Sequence, residues 1–125
     1  MKFKNQKSIY RQIADFILDS ILEGQISPGE RIQSVREMAS EVQVNPNTVM
    51  RTYNFLSDKE IIFNKRGVGY FTTEDALIKT KALKKEYFLS EQLPMLFETM
   101  KLLQIDIGEL SRLLNQYQIE QHEVK

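Results

Sequence analysis

Three polar side chains at helical spacing follow an Asn-Pro pair near the middle of the sequence. Within VQVNPNTVMRTY, residues 42–53, Asn47 and Arg51 are one helical turn apart, and Asn54 follows three residues later. At about 100° per residue, these positions share the side of a helix opposite Val49. Arginine can form paired hydrogen bonds with guanine edges, and asparagine with adenine edges, in the major groove of DNA. The spacing therefore favours a helix face that reads base pairs.

A solvated helix face is the simpler interpretation of the same residues. Such faces are usually rich in glutamate and lysine, whereas this one carries asparagine, arginine and threonine near its start. That start is well defined, because Asn45 is a good N-cap and Pro46 suits the first helical position. We therefore favour a recognition helix that runs from Pro46 to about Lys59.

Two helices are predicted before it. Ser8 can cap a first helix with an apolar stripe, which Gly24 is well placed to end. Ser34 and Glu37 match the capping box of a short second helix over residues 35–42. Only two residues separate that helix from the next cap, and so short a connection predicts a helix-turn-helix.

A β-hairpin is predicted after the recognition helix. Residues 61–63 and 70–72 are β-prone and flank a glycine-containing turn that carries Lys65 and Arg66. A very short strand is also expected at residues 31–32. Helix, short helix, tight turn, helix and hairpin form the order of a winged helix-turn-helix, with the hairpin as the wing. Contacts with phosphates position a protein on DNA without reading its sequence. The predicted donors for such contacts are Tyr10, Arg11, Arg36, Thr48, Lys65 and Arg66.

Composition limits the other classes of function. The chain has 125 residues, 42% of them hydrophobic, and no cysteine. This length can bury one modest core, and the lack of thiols excludes disulfides and thiolate metal sites. Charged residues interrupt the apolar positions at the start of the chain. We therefore expect neither a signal peptide nor a membrane span there. We therefore expect a cytoplasmic protein.

The charge distribution and the single histidine give little support to an enzyme. The net charge is zero, with ten Lys/Arg against eight Asp/Glu over residues 1–72 and seven against nine over residues 73–125. An ordinary solvated surface would also show this balance. His122 has no second histidine or cysteine to complete a metal site, and no glycine-rich phosphate loop occurs. We predict no enzymatic activity, no metal and no cofactor.

The remaining residues are expected to form two or three amphipathic helices. Pro94 should interrupt them, Asp106 should cap the last one, and the chain should fray from about Ile119. Such helices cannot close a core of their own, so their apolar faces are predicted to meet a second copy of the chain. A small-molecule pocket between them is the alternative, although no residue pattern favours it. The predicted interface residues are Leu83, Tyr87, Phe88, Leu96, Phe97, Met100, Leu110, Leu113, Leu114 and Tyr117.

Residues 8–72 resemble the DNA-binding domain of the GntR family of bacterial transcription regulators. The G-E-x-I-x-S-x-R-E-x-A segment, the N-P-N-T-V helix start and the R-G-x-G-x-F wing occur in the right order and spacing. The run VNPNTVMRTY and the short helical tail resemble the YtrA subfamily. The sequence departs from the family pattern at Gln33, usually proline, at Met50, often polar, and at Glu60, usually glycine.

The resemblance implies a mainly α protein with a winged helix-turn-helix over residues 1–73 and a helical dimerisation tail over 74–125. It also implies a homodimeric repressor that binds a near-palindromic operator in double-stranded DNA and controls a neighbouring transporter-type operon. A small-molecule effector of unknown identity is a further partner, and no membrane is implied. The candidate DNA-binding residues are Tyr10, Arg11, Ser34, Arg36, Asn45, Asn47, Thr48, Arg51, Asn54, Lys65, Arg66, Gly67 and Gly69.

Two other binding functions stay open at this point. In a winged-helix module that binds protein, the third helix would pack against a partner, and Met50 and Phe55 are the residues that favour this. A nonspecific DNA-binding protein is the other, although the low net charge disfavours it.

Overall fold

A computed structural model describes residues 7–123, which form six α-helices and one two-stranded hairpin. A π-helical segment, Phe88–Gln92, joins the fourth helix to the fifth. The chain divides into a first unit that extends to Lys84 and a tail unit that begins at Lys85. The elements are α1 Ile9–Leu22, α2 Val35–Val42, α3 Pro46–Asp58, β1 Ile62–Lys65, β2 Gly69–Thr72, α4 Ala76–Tyr87, α5 Leu93–Leu103 and α6 Ile107–Glu123.

The capping box at the start of α2 forms as predicted. The Ser34 hydroxyl accepts a hydrogen bond from the Glu37 N–H at 3.1 Å, and the Glu37 carboxylate accepts one from the Ser34 N–H at 2.9 Å. The Asn45 side chain accepts a hydrogen bond from the Asn47 N–H at 2.8 Å. Gln43 turns the chain between the helices in the left-handed conformation, with φ 56°. These local contacts define where α2 begins, where it ends and where α3 begins.

The core of the first unit lies between α1, α2 and α3. Helix α3 buries one stripe against the other two helices, and this confirms the predicted periodicity. The buried residues of that stripe are Val49, Thr52, Tyr53 and Leu56. The apolar residues that α1 contributes to the same core are Ile13, Ala14, Ile17, Leu18 and Ile21.

The hairpin pairs antiparallel, with Ile62 opposite Thr72 and Lys65 opposite Gly69. Its strands extend further toward the turn than the predicted ranges, because backbone pairing continues through the polar residues beside the turn. The short strand expected at residues 31–32 is reduced to one bridge between Arg31 and Phe71.

The first unit continues beyond residue 73, where the sequence placed the domain boundary. Ala76 and Thr80 on α4 are buried, and Leu83 packs against the core of the first unit. Lys84 forms ion pairs with Asp19 at 3.1 Å and with Asp15 at 3.6 Å. Leu83 was expected in an interface between two copies, and the structure instead places it against the core of its own chain.

The tail unit contains helices α5 and α6, and neither of them buries a residue. The π-helical segment and the start of α5 mark the interruption expected at Pro94. Asp106 caps α6 as predicted, since its carboxylate accepts a hydrogen bond from the Glu109 N–H at 2.8 Å. Helix α6 continues past Ile119 to Glu123, and no glycine or proline follows its first turn. No helix within residues 7–123 is long and apolar enough to cross a membrane.

Candidate nucleic-acid interface

Helix α3 presents a polar face to the outside of the first unit. Asn47, Arg51 and Asn54 are exposed, whereas Val49 and Tyr53 on the opposite side are buried. The long, planar guanidinium of arginine and the amides of asparagine are therefore accessible along one side of the helix. These groups are suited to paired hydrogen bonds with base edges.

Four of the predicted site residues meet where α1 begins beside α3. Tyr10, Asn47, Thr48 and Arg51 line one depression together with Ser8 and Ile9. The Arg51 guanidinium lies 4.1 Å from the centre of the Tyr10 ring. The depression thus combines hydrogen-bond donors from α1 and α3, as an interface with DNA backbone and bases requires.

The two apolar residues that favoured a protein-docking helix have partners within the chain. Phe55 lies under the guanidinium of Arg11, which is 4.4 Å from the ring centre. The sulfur of Met50 accepts a weak hydrogen bond from the Tyr70 hydroxyl at 3.9 Å. These contacts engage Phe55 within the chain and weaken the case for a partner protein on α3, although Met50 stays 41% exposed.

Tyr53 connects α3 to the segment before α2 and to strand β2. Its hydroxyl donates a hydrogen bond to the Gln33 carbonyl at 2.7 Å, and its ring meets Tyr70 of β2 edge-on with centroids 4.8 Å apart. Burial raises the pKa of Tyr53, so the hydroxyl stays protonated and keeps its role as donor. The contact uses the backbone of Gln33, and the glutamine that replaces the family proline therefore leaves it intact.

The first turn of α2 carries Ser34 and Arg36. Arg36 is exposed, and the free backbone N–H groups of a helix start also favour an anion. The hydroxyl of Ser34 accepts the capping bond of α2, and the side-chain oxygen of Asn45 accepts that of α3. Both residues therefore have a structural role, and their contact with DNA stays a prediction.

The wing turn exposes two cations next to two glycines. Lys65 and Arg66 are exposed, and Gly67 has φ 78° with open space where a Cβ would lie. Gly69 has φ 141°, and a Cβ there would lie 2.9 Å from Nε of Arg31. Arg31 thus adds a third cation at the base of the wing, and no local motif predicts it there.

Glu60 turns the chain from α3 to the wing in the left-handed conformation, with φ 60°. Its carbonyl accepts a hydrogen bond from the Thr73 hydroxyl at 3.0 Å, and its carboxylate pairs with Lys79 at 3.3 Å. These contacts hold a conformation that usually favours glycine. The departure from the family pattern at Glu60 therefore preserves the turn.

Contacts between the elements were not predicted, and the residues that make them are Phe55, Tyr70, Arg31 and Thr52 through its hydroxyl. Their contacts join positions that are far apart in the chain, and no short motif relates such positions. Within residues 7–123, no group of three or more His, Asp or Glu side chains could hold a metal ion.

A helix-turn-helix with a polar outer face on its second helix, followed by a basic hairpin, defines a winged helix-turn-helix DNA-binding fold. Residues 9–72 match the model of the gntR family of bacterial regulatory proteins. The chain belongs to the GntR family, whose members are transcription regulators and not enzymes, and within the family it is related to YtrA.

Relatives along the chain agree with this assignment. The chain is 43% identical over 77 residues to YhcF of Bacillus subtilis, an uncharacterised HTH-type transcriptional regulator, covering 62% of this chain and 64% of YhcF. It is 36% identical over 94 residues to the HTH-type transcriptional repressor YtrA of Bacillus subtilis, covering 74% of this chain and 71% of YtrA. The match to YhcF thus leaves over a third of that relative unmatched.

One solved structure covers nearly all of both chains. It is a crystal structure from Bacteroides thetaiotaomicron assigned to the GntR family of transcriptional regulators. The TM-score is 0.77 at 42% sequence identity, with 91% of this chain and 99% of that chain covered. The similarity therefore includes the helical tail as well as the winged helix.

Proposed function

We propose that the protein is a homodimeric, operator-specific repressor of transcription, which reads DNA through α3 and holds the duplex through the wing. The observation that carries this proposal is the exposed face of Asn47, Arg51 and Asn54 on α3, next to the cations Lys65 and Arg66 of the wing. The face supplies base-reading groups, and its surroundings supply phosphate contacts.

The dimer is supported by the apolar surface of the tail unit. Phe97 is 56% exposed and Leu113 is 46% exposed, and a second copy would remove such surface from water. A two-fold pair places two recognition helices about one DNA turn (~34 Å) or more apart, which requires a near-palindromic operator. With ~4 phosphate contacts per subunit, the logarithm of affinity should fall against the logarithm of salt concentration with a slope near −7.

The proposal of repression rests on the relative YtrA of Bacillus subtilis, which is a transcriptional repressor. We extend it to a neighbouring transporter-type operon and to the gene of the protein itself, with an effector of unknown identity. The protein would act in the cytoplasm, where its operator is located. Transcript levels of adjacent genes after deletion of this gene test the regulatory part, and unchanged levels would contradict it.

The binding part is tested with a duplex that the full chain enriches from random sequences and with a shuffled duplex of the same composition. We expect Arg51→Ala to lower discrimination between the two by about 5- to 150-fold, because one bidentate base contact is lost. Lys65→Ala is the matched control and should weaken both duplexes alike while reducing the salt slope. An Arg51→Ala variant with full discrimination would show that α3 is not the reading helix.

A further inference from the structure

Two aromatic side chains lie between two arginines where α1 meets α3. The Arg51 guanidinium lies 4.1 Å from the Tyr10 ring centre, and the Tyr10 ring meets Phe55 edge-on with centroids 6.2 Å apart. Phe55 in turn lies 4.4 Å from the guanidinium of Arg11. The base-reading arginine of the proposed function therefore already contacts an aromatic ring in the protein without DNA.

The backbone of Tyr10 is fixed to α3 by a separate contact. The hydroxyl of Thr52, a fully buried residue, lies 2.8 Å from the Tyr10 carbonyl and donates to it. Thr52 directly follows Arg51 in the chain. The turn of α3 that carries the Arg51 guanidinium therefore also holds the backbone of Tyr10. The position of Tyr10 relative to Arg51 thus depends on two contacts, one from the backbone of Tyr10 and one from its ring.

A ring face can hold a guanidinium without accepting an ordinary hydrogen bond from it. The guanidinium has five N–H donors, and the attraction of a cation to a ring face is electrostatic. Arg51 is exposed, so N–H donors of its guanidinium stay accessible to a guanine edge. Tyr10 can therefore restrict the orientation of Arg51 without competing for its hydrogen bonds.

We infer that Tyr10 is a positioning residue that sets the sequence discrimination of Arg51 through its ring. This inference rests on the proposed function, because it assigns a cause to the reading by α3. It differs from the role predicted from the sequence, in which Tyr10 contacts phosphate. A phosphate contact would use the hydroxyl and affect every duplex equally, whereas positioning uses the ring and affects the ratio between duplexes.

Two substitutions separate the ring from the hydroxyl. Tyr10→Phe keeps the ring and should retain the discrimination between the enriched and the shuffled duplex. Tyr10→Leu removes the ring and should lower that discrimination by about 2- to 30-fold, the range of a cation–π contact. If Tyr10→Phe lost as much discrimination as Tyr10→Leu, or if Tyr10→Leu lost none, the positioning role would be overturned.

The double variant Tyr10→Leu/Arg51→Ala distinguishes positioning from general support of the fold. If Tyr10 acts through Arg51, the double variant should discriminate no worse than Arg51→Ala alone. Independent, additive losses would overturn the inference, since they would show that Tyr10 acts elsewhere.

A measurement without DNA keeps the two proposals distinguishable. In NMR spectra, the ring should displace the side-chain proton resonances of Arg51 upfield in the wild-type chain and in Tyr10→Phe. This test does not require Tyr10→Leu to fold. Resonances at ordinary positions in the wild-type chain would overturn the positioning role alone. If the wild-type chain enriched no sequence, the proposed function would fail, and the role of Tyr10 in discrimination would fail with it.

Discussion

The two units of the chain use apolar residues in opposite ways. The first unit closes a core of apolar side chains, in which Tyr53, Leu56 and Ile61 have 0% exposure. In the tail unit, α5 and α6 bury none, and Leu102 remains 79% exposed. A hydrophobic core closed within one chain stabilises the first unit, whereas an exposed apolar surface of this kind marks an interaction site. Apolar residues thus form a core in the first unit, and in the tail unit they form the surface through which we propose that the dimer associates.

The contrast predicts where truncation of a side chain is most damaging. Leu56→Ala should lower the free energy of unfolding by about 2–5 kcal/mol, because it leaves a cavity in a fully packed core. Ile78→Ala, at a position 72% exposed on α4, is the matched control and should stay within about 0.5 kcal/mol. Urea unfolding followed by circular dichroism measures both. Equal effects would mean that the core is less closed than its burial indicates.

The tail unit should respond in association instead. Phe97→Ala should weaken the homodimer by about 2 kcal/mol, or roughly 30-fold in dissociation constant, if this aromatic residue anchors the interface. The unfolding of the first unit should be unchanged. Sedimentation equilibrium measures the dimer, with Gln121→Ala as an exposed control on α6. A dimer of wild-type strength in Phe97→Ala would remove Phe97 from the proposed interface.

Parts of the molecule that depend on neighbouring residues in the chain could be predicted. The bounds of α2 follow from the capping box at Ser34, and the start of α3 follows from Asn45 and Pro46. The buried and exposed faces of α3 follow from helical periodicity alone. These signals act over a few residues, so the sequence contains them in full.

Parts of the molecule that depend on residues far apart in the chain could not be predicted. The burial of Thr80 requires a core that other elements form, and the compact first unit therefore extends past residue 73 to Lys84. The contact of Arg51 with Tyr10 joins two helices that no local pattern relates. The sequence identified both as candidate DNA-binding residues, but the way in which one orients the other required the structure.

Residues in the left-handed conformation allow the stability of the two units to be compared, with a smaller expected effect. Glu60 and Gln104 both end a helical segment at positive φ, 60° and 57°. Glu60→Gly should stabilise the first unit by up to about 1 kcal/mol, because glycine adopts this conformation without a Cβ penalty. The loss of the ion pair with Lys79 reduces the gain. Glu60→Gln, which removes only the charge, is the control.

Gln104→Gly completes the comparison. If the two units unfold independently, this substitution should leave the unfolding transition of the first unit unchanged, although it relieves the same kind of strain in the tail unit. Differential scanning calorimetry of the full chain resolves the transitions. A shift of the first transition in Gln104→Gly would indicate that the units unfold together and would remove the distinction between them.

The smallest expected effect concerns the cap of α2. Hydrogen bonds from the Ser34 backbone and side chain lower the pKa of the Glu37 carboxyl from its ordinary 4.5. The folded state therefore releases this proton more readily than the unfolded state, so the contribution is present above pH 4.5 and is lost as the pH falls below it. Glu37→Gln can still accept the capping bond but does not titrate. The urea midpoints of the two proteins should therefore converge on acidification, and a difference that is constant with pH would show that the charge of Glu37 does not stabilise the cap.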